Sequence, residues 1–310
     1  MTSIRLVTYN VQRFSGWRGA GCTLARICDQ LQSLEPRPHM IALQEVSLFG
    51  RSDDPLETMA KRLGMPHWRF FGHVRGKYGN AVLSSLPFAV HKEVHLRGGS
   101  EIVVPPGGQS ISGDTSAQEE RHRIARGLLV VDVDVGAALR VRVGVTHIDH
   151  ISIEQRRTQL GHVAECLKEE DRGHEATVLL GDLNALTRGD YSAEEWDALE
   201  RRARNKGWAP PEHGADLALL VDDGFRDAFC LAGGGRLDKS RAWKTASTAL
   251  PLYRIDYCFV RPERGARVVV EACRVLTEMQ ESDHHPILVD LRLEAERGGG
   301  WKAKGGRARL

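Results

Sequence analysis

The sequence predicts an α+β protein folded as a four-layer αββα sandwich, two mostly antiparallel sheets face to face with helices outside them. Three observations carry that expectation. Short apolar runs of β-forming residues outnumber the amphipathic helical segments. Many neighbouring strands are separated by only a few turn residues, as in hairpins. The helices fall between strands through both halves of the chain. A length of 310 residues suits one large domain or two ordinary ones, and this even spread favours one.

Residues 4–10 form the first strand, with Leu6 and Tyr9 among its β-formers. Leu24, Ile27, Cys28, Leu31 and Leu34 share one stripe of a helix over 24–34. The apolar run 40–43 is too short for a helix and ends in Gln44-Glu45. Residues 55–63 read as a helix whose first turn suits Pro55. Strands follow at 80–84 and 88–96, on either side of Leu86-Pro87. Gly, Pro, Ser, Asp and Gln dominate 98–120, which predicts a long mobile loop. Strands 127–135 and 140–147 are joined by the tight turn Gly136-Ala137-Ala138. Helix 153–167 turns Ile153, Leu160, Val163, Ala164 and Leu167 inward. The run 177–180 is apolar throughout, as in a strand buried on both faces. A helix with a charged face, 193–204, and a Pro/Gly-rich loop lead to 217–221. The last strands span 254–260, 268–275 and 287–293. The expected domain is therefore 1–293, with 294–310 a basic, Gly-rich disordered tail. From Arg292 onward six Lys or Arg face two Glu.

Composition narrows the function. Lys and Arg number 43 against 41 Asp and Glu, a net charge of +2. A protein that grips long nucleic acid by charge alone is usually more basic. The first residues lack the apolar core of about 7–15 residues that marks a secretory signal. No stretch approaches about 18 uninterrupted apolar residues. The six cysteines are scattered and none is spaced C-x-x-C, against a zinc site or a disulfide scaffold. A cytoplasmic monomer is the expectation.

Polar residues of particular kinds sit where apolar strands run out: Asn10, Glu45, His147, Asp182 with Asn184, and Asp283-His284 ahead of the last strand. Asp256 lies within the strand 254–260. Strand ends on one rim of a sheet core converge in space, and loops there carry functional groups on a rigid frame. A donor set of hard oxygens with few soft ligands favours Mg²⁺ or Mn²⁺ over zinc.

Six segments carry a family resemblance: Thr-Tyr-Asn10-Val-Gln, Leu-Gln-Glu45-Val, Thr-His147-Ile-Asp, Leu-Gly-Asp182-Leu-Asn184-Ala, Arg-Ile-Asp256-Tyr and Ser-Asp283-His284-His-Pro. In this order they resemble the endonuclease/exonuclease/phosphatase superfamily over residues 1 to about 293. The resemblance implies a divalent-metal-dependent hydrolase of phosphate esters. Glu45 is then the main metal ligand, helped by Asn10 and Asp283. Asp182 orients or deprotonates the attacking water, and Asn184 holds that water or the phosphate. His284 donates to a phosphoryl oxygen while Asp256 fixes its tautomer, and His147 clamps the phosphate from the other side. Asn80 and Arg126 are further candidates for substrate contact.

Structural readings compete at several positions. Asp182 and Asn184 are also ordinary turn formers after a strand. Asp256 could be an ion partner of Arg254, His147 a satisfied structural histidine, and Asn10 a support for Glu45 rather than a ligand. His285 is expected to point away from the site. Arg156 and Gln159 read as a solvated helix face, and Thr245 and Thr248 as possible walls of a substrate pocket. The family cleaves abasic and bulk DNA, RNA tails, sphingomyelin, phosphoinositides and tyrosyl–DNA adducts, so the resemblance does not name the substrate. A small or lipid-linked phosphate ester is the expectation, and a nuclease or end-processing enzyme is the alternative activity. An inactive binding module is a third reading, but it predicts loss of some polar motif residues, and all are present.

Overall fold

The computed structural model describes residues 2–16, 21–104, 120–136, 139–168, 173–207, 210–211, 214–233, 243–249, 252–263 and 265–294. The strands are β1 Thr2–Asn10, β2 Met40–Ser47, β3 His67–Val74, β4 Tyr78–Ser84, β5 Phe88–His95, β6 Glu101–Val104, β7 Glu120–Arg123, β8 Gly127–Gly136, β9 Leu139–His147, β10 Ala176–Asp182, β11 Arg226–Asp227, β12 Asp256–Pro262, β13 Arg267–Val275 and β14 Ile287–Glu294. The α-helices are α1 Leu24–Gln32, α2 Pro55–Leu63, α3 Ile153–Leu167, α4 Ala193–Asn205, α5 Ala218–Asp222 and α6 Ala228–Ala232.

Two six-stranded sheets form the frame, in the orders β13-β14-β1-β2-β4-β3 and β11-β12-β10-β9-β8-β5. Each contains one parallel pair, β1 with β2 and β9 with β10. A parallel pair needs a crossover, and α1 and α3 supply it. Every other pairing is antiparallel. The two sheets share a core in which Leu6, Met40 and Val82 meet Leu129, Val143 and Val178. Period-two alternation sends the intervening residues outward. Val7, Ile41 and Leu83 pack under Ile27, Leu31 and Met59 of α1 and α2. Leu128, Val130 and Leu179 pack under Leu160, Val163 and Leu167 of α3. The run 177–180 is apolar throughout because β10 is covered on both faces.

The helices begin where the sequence offers caps. Asp54 accepts from the amides of Leu56 and Glu57 at the start of α2, with Pro55 next to it. Ser192 and Glu195 form a reciprocal capping box on α4. The structure departs from the sequence reading in four places. β2 continues past Leu43 to Ser47, because it pairs with β4 again beyond a bulge. β3 escaped the reading: it is an edge strand whose first residues, His67, Trp68 and Arg69, are exposed and polar in pattern. Within the expected loop 98–120, β6 and β7 pair as a two-stranded ribbon. Arg254 and Ile255 precede β12 instead of starting it, and the segment 217–221, given no type by the sequence, falls on α5 and its N-cap Leu217. The loop residues 105–119 and the tail 295–310 lie outside the described residues. No helix among the described residues is long and apolar enough to cross a membrane.

Candidate active site

Strand register places three of the candidate groups in one row. Asp182, the last residue of β10, stands opposite His147 at the end of β9 and opposite Asp256 at the start of β12. Asn10 ends β1 on the facing sheet and donates its amide to Asp182 Oδ2 (3.1 Å) and Glu45 Oε1 (3.3 Å). Glu45 reaches the rim through the β2 bulge, where the ladder skips from Leu43 to Val46. Its φ of 58° is left-handed backbone that a glutamate rarely adopts. Such strain is kept where the surroundings over-determine it, often at functional sites. Asn184 also has positive φ, 48°, which asparagine tolerates best. Its amide N–H donates to Asp182 Oδ1 (3.0 Å). Asp182 is therefore both a turn former through one oxygen and a site group through the other.

His284 lies between two carboxylates. Its Nδ1 donates to Asp256 Oδ2 at 2.8 Å, and its Nε2 stands 3.7 Å from Asp182 Oδ2. Burial opposes a charged ring there, but Asp256 and Asp182 outweigh it and hold His284 protonated well above its ordinary range. Asp182 is pushed up to about 7, first by burial and then by the charge of Asp256. Asp256 is thus the partner of His284, not of Arg254, which pairs with Asp190 and Asp227. Thr245 Oγ1 accepts from the backbone amides of Ile255 and Asp256 (3.1 Å each). Thr248 Oγ1 donates to Ser282 O (2.8 Å). These two threonines hold the strand start and the 282–284 turn, and neither lines the pocket. His285 turns away and donates through Nδ1 to Met279 O (2.9 Å).

His147 meets a donor group at each ring nitrogen. The Arg126 guanidinium lies 3.2 Å from His147 Nδ1 and 3.3 Å from His150 Nδ1. A guanidinium only donates, so both Nδ1 atoms accept from it, and the Asn184 side-chain amide meets His147 Nε2 at 3.1 Å. Burial, and then the Arg126 charge, keep His147 neutral, well below its ordinary range. Its Nε2 also lies 3.5 Å from Asp182 Oδ2. Arg126 is itself buried, with Nε lacking a partner.

These groups open on a pocket of about 420 Å³. Glu45, Arg126, His147, Asp182, Asn184 and His284 line one end, and Leu199, Arg202, Ala203 and Lys206 of α4 and its C-cap line another part. Ile102 and Ile124 form the wall beside the β6–β7 ribbon. Two expectations change. Asn80 is not on the pocket wall: it sits within β4, fully buried, and donates to Gly127 O (2.8 Å) across to the second sheet. A polar residue in a strand interior faces whatever lies opposite, and here that is β8. Arg156 and Gln159 are not a solvated face. Both are buried, Arg156 donating to Asp216 (2.8 Å) and Gln159 accepting from the amide of Asp149 (2.8 Å). Pocket residues the sequence did not single out include Arg13, Tyr78, His150 and Tyr253. Only His150, next to the His147 motif, had a local signal.

A cation fits this rim on charge grounds. Among the described residues, no Lys or Arg pairs with Glu45 or Asp283, and Asp256 Oδ1 is buried without a hydrogen-bond partner. Asp283 is raised by its burial and, despite the opposing pull of His284, by the charge of Glu45. Asp182, Asp256 and His284 also offer ligand atoms within 4.8 Å of one another. A protonated, Asp256-bonded His284 has no lone pair for a metal, so the carboxylate side of the rim is the better seat.

A family model described as the Endonuclease/Exonuclease/phosphatase family matches residues 7–284. No curated protein sequence matches the chain. The fold is similar to that of an endonuclease/exonuclease/phosphatase from Beutenbergia cavernae, with TM-score 0.63 at 23% identity over 94% of this chain and 72% of that one. It is also similar to an endonuclease/exonuclease/phosphatase family protein from Bacteroides thetaiotaomicron, with TM-score 0.60 at 17% identity over 95% and 99%. A mannosyl-6-phosphatase from the same organism gives TM-score 0.58 at 17% identity over 93% and 99%.

Proposed function

The chain belongs to the endonuclease/exonuclease/phosphatase family of phosphohydrolases, and from that premise we propose that it is a Mg²⁺- or Mn²⁺-dependent hydrolase of small phosphate esters. The observation that carries this reading is a pocket of about 420 Å³ lined by Asp182 and by His284, the latter bonded to Asp256. That volume suits a small ligand. The structurally similar mannosyl-6-phosphatase is a precedent for such a substrate on this fold.

Glu45, with Asn10 and Asp283, would hold the cation, which supplies positive charge against the phosphoryl oxygens. Asp182 Oδ2 orients the attacking water and takes its proton; a base poised near neutrality suits that task. Asn184 fixes the same water or the phosphate beside it. The charged His284 donates through Nε2 to a non-bridging oxygen as the water–phosphorus bond forms and the ester bond breaks, and the departing alkoxide oxygen takes a proton from solvent to leave as the alcohol. Asp256 keeps the His284 ring in place for that donation. His147 flanks the phosphate from the other side, its Nε2 beside the Asn184 side-chain amide and Asp182.

A panel of phosphate esters, including bis-p-nitrophenyl phosphate, assayed with Mg²⁺, Mn²⁺ and EDTA tests the reading. Turnover that EDTA abolishes is expected, and metal-independent turnover would refute it. Glu45→Ala is expected to raise the Mg²⁺ concentration for half-activity by about 10–100-fold. Superimposable Mg²⁺ titrations of the two proteins would move the ligand elsewhere. The nuclease alternative draws on the exposed cations Arg201, Arg202, Arg204 and Lys206 at the end of α4. It predicts activity that falls steeply with added salt, whereas a small ester predicts a shallow slope.

A further inference from the structure

We propose that the part of the pocket walled by α4 is a second anion-binding subsite, built from Arg202 and Lys206, that selects phosphate esters bearing another phosphate or a carboxylate. The proposal rests on the hydrolase reading of the same pocket and adds its substrate class.

The pocket joins the two regions in one cavity, with Asp182 and His284 at one place on its wall and Leu199, Arg202 and Lys206 at another. Arg202 and Lys206 are four residues apart, so they project from one face of the helix end. The Lys206 ammonium is held below its ordinary range by burial and then by Arg202.

Arg202 differs from the cations around it. Arg204 pairs with Glu200, and Lys244 pairs with Glu195. The carboxylate on this wall, Asp216, is taken by Arg156. Among the described residues the Arg202 guanidinium makes no ion pair or hydrogen bond; it lies over the Tyr253 ring, 6.0 Å from its centroid. Tyr253 and Leu199 offer a partly apolar bed beside it. A ligand that meets this wall has a hydrophobic or sugar-like spacer and an anion beyond it. The scissile phosphate engages the His147–His284 end, and the further anion engages the guanidinium, for which a charge-assisted, bidentate contact is the strong mode.

The bland account is that Arg202 and Lys206 only complement the C-terminal dipole of α4. It predicts a small loss of melting temperature on their removal and no change in substrate preference. The test uses the full chain and Arg202→Gln/Lys206→Gln, with Arg202→Gln alone if the double variant fails to fold. Three probes share one backbone: glucose 6-phosphate, glucose 1,6-bisphosphate and 6-phosphogluconate. Affinities come from calorimetry in Mg²⁺, and KM and kcat from phosphate release. The two-anion probes are expected to bind the wild type about tenfold more tightly than glucose 6-phosphate, and the variant is expected to lose that advantage with kcat on glucose 6-phosphate unchanged. A preference for only one of the two identifies the anion as phosphate or carboxylate. Equal affinities of wild type and variant for the two-anion probes, or no binding of either to the wild type, overturn the subsite. Selective binding without turnover of any ester leaves the subsite standing and overturns the hydrolase reading instead.

Discussion

Asp182→Asn is expected to lower kcat on phosphate esters by about 10²–10⁴-fold, the usual contribution of a positioned general base. The substitution keeps the shape of the side chain and an oxygen for the Asn184 amide, which now donates to Oδ1 at 3.0 Å. It removes the basic oxygen that faces Asn10 (3.1 Å), His147 (3.5 Å) and His284 (3.7 Å). Retained activity would remove Asp182 from the chemistry and leave it a turn residue.

The same variant separates chemistry from stability. In the folded protein Asp182 is raised from 3.8 to about 7 by burial and by Asp256. Between those values the folded chain holds a proton that the unfolded chain has released, so stability falls as pH rises through the window. Above about 7 the folded state carries the full cost of a buried carboxylate beside another. An amide at this position carries none of it. Measured in EDTA, the melting temperature of Asp182→Asn relative to wild type is expected to be higher at pH 8 than at pH 5. An equal difference at both pH values would show that Asp182 is ionised throughout.

The legible part of this site was its strand ends. His147 and Asp182 stand where an apolar run stops, and β-register then sets them side by side; Asn10 ends its run likewise but on the facing sheet, and the packing of the two sheets brings it to Asp182. Glu45 reads in sequence as the end of the run 40–43, but β2 does not end there, and a bulge turns the residue out. Asn80 has the same look in sequence as a strand-end polar group, yet it faces the opposite sheet, and only sheet packing decides that. The α4 wall was illegible because its spacing says which residues share a face and nothing about what that face meets. β3 was hidden for the complementary reason. An edge strand half in solvent needs no apolar alternation, so the pattern that reveals central strands is weak in it. Arg254 shows the limit most clearly. A nearby carboxylate, Asp256, was a natural partner by sequence, but the true ones are Asp190 and Asp227, 64 and 27 residues distant.

Arg254→Met is expected to destabilise the protein by about 3–5 kcal/mol, the usual cost of breaking a buried ion pair by removing one member. The residue is 1% exposed. Its guanidinium donates to Asp190 Oδ2 at 3.0 Å and to both oxygens of Asp227 at 2.8 and 2.6 Å, and it packs over the rings of Tyr257 and Phe229. Methionine fills some of the volume but leaves two carboxylates facing each other without a cation. The melting temperature should drop by about 10 °C. Adding Asp190→Asn and Asp227→Asn should recover part of the loss, because the uncompensated charge, not the missing contacts, dominates it. Arg254 also precedes Asp256 by two residues, and its backbone amide is held by the Tyr191 hydroxyl (2.8 Å). Loosening this joint should let the Asp256–His284 pair drift, so kcat should fall before KM changes. A melting temperature within a degree or two of wild type would mean that solvent reaches the pair and that the three charged groups are not coupled as their distances imply.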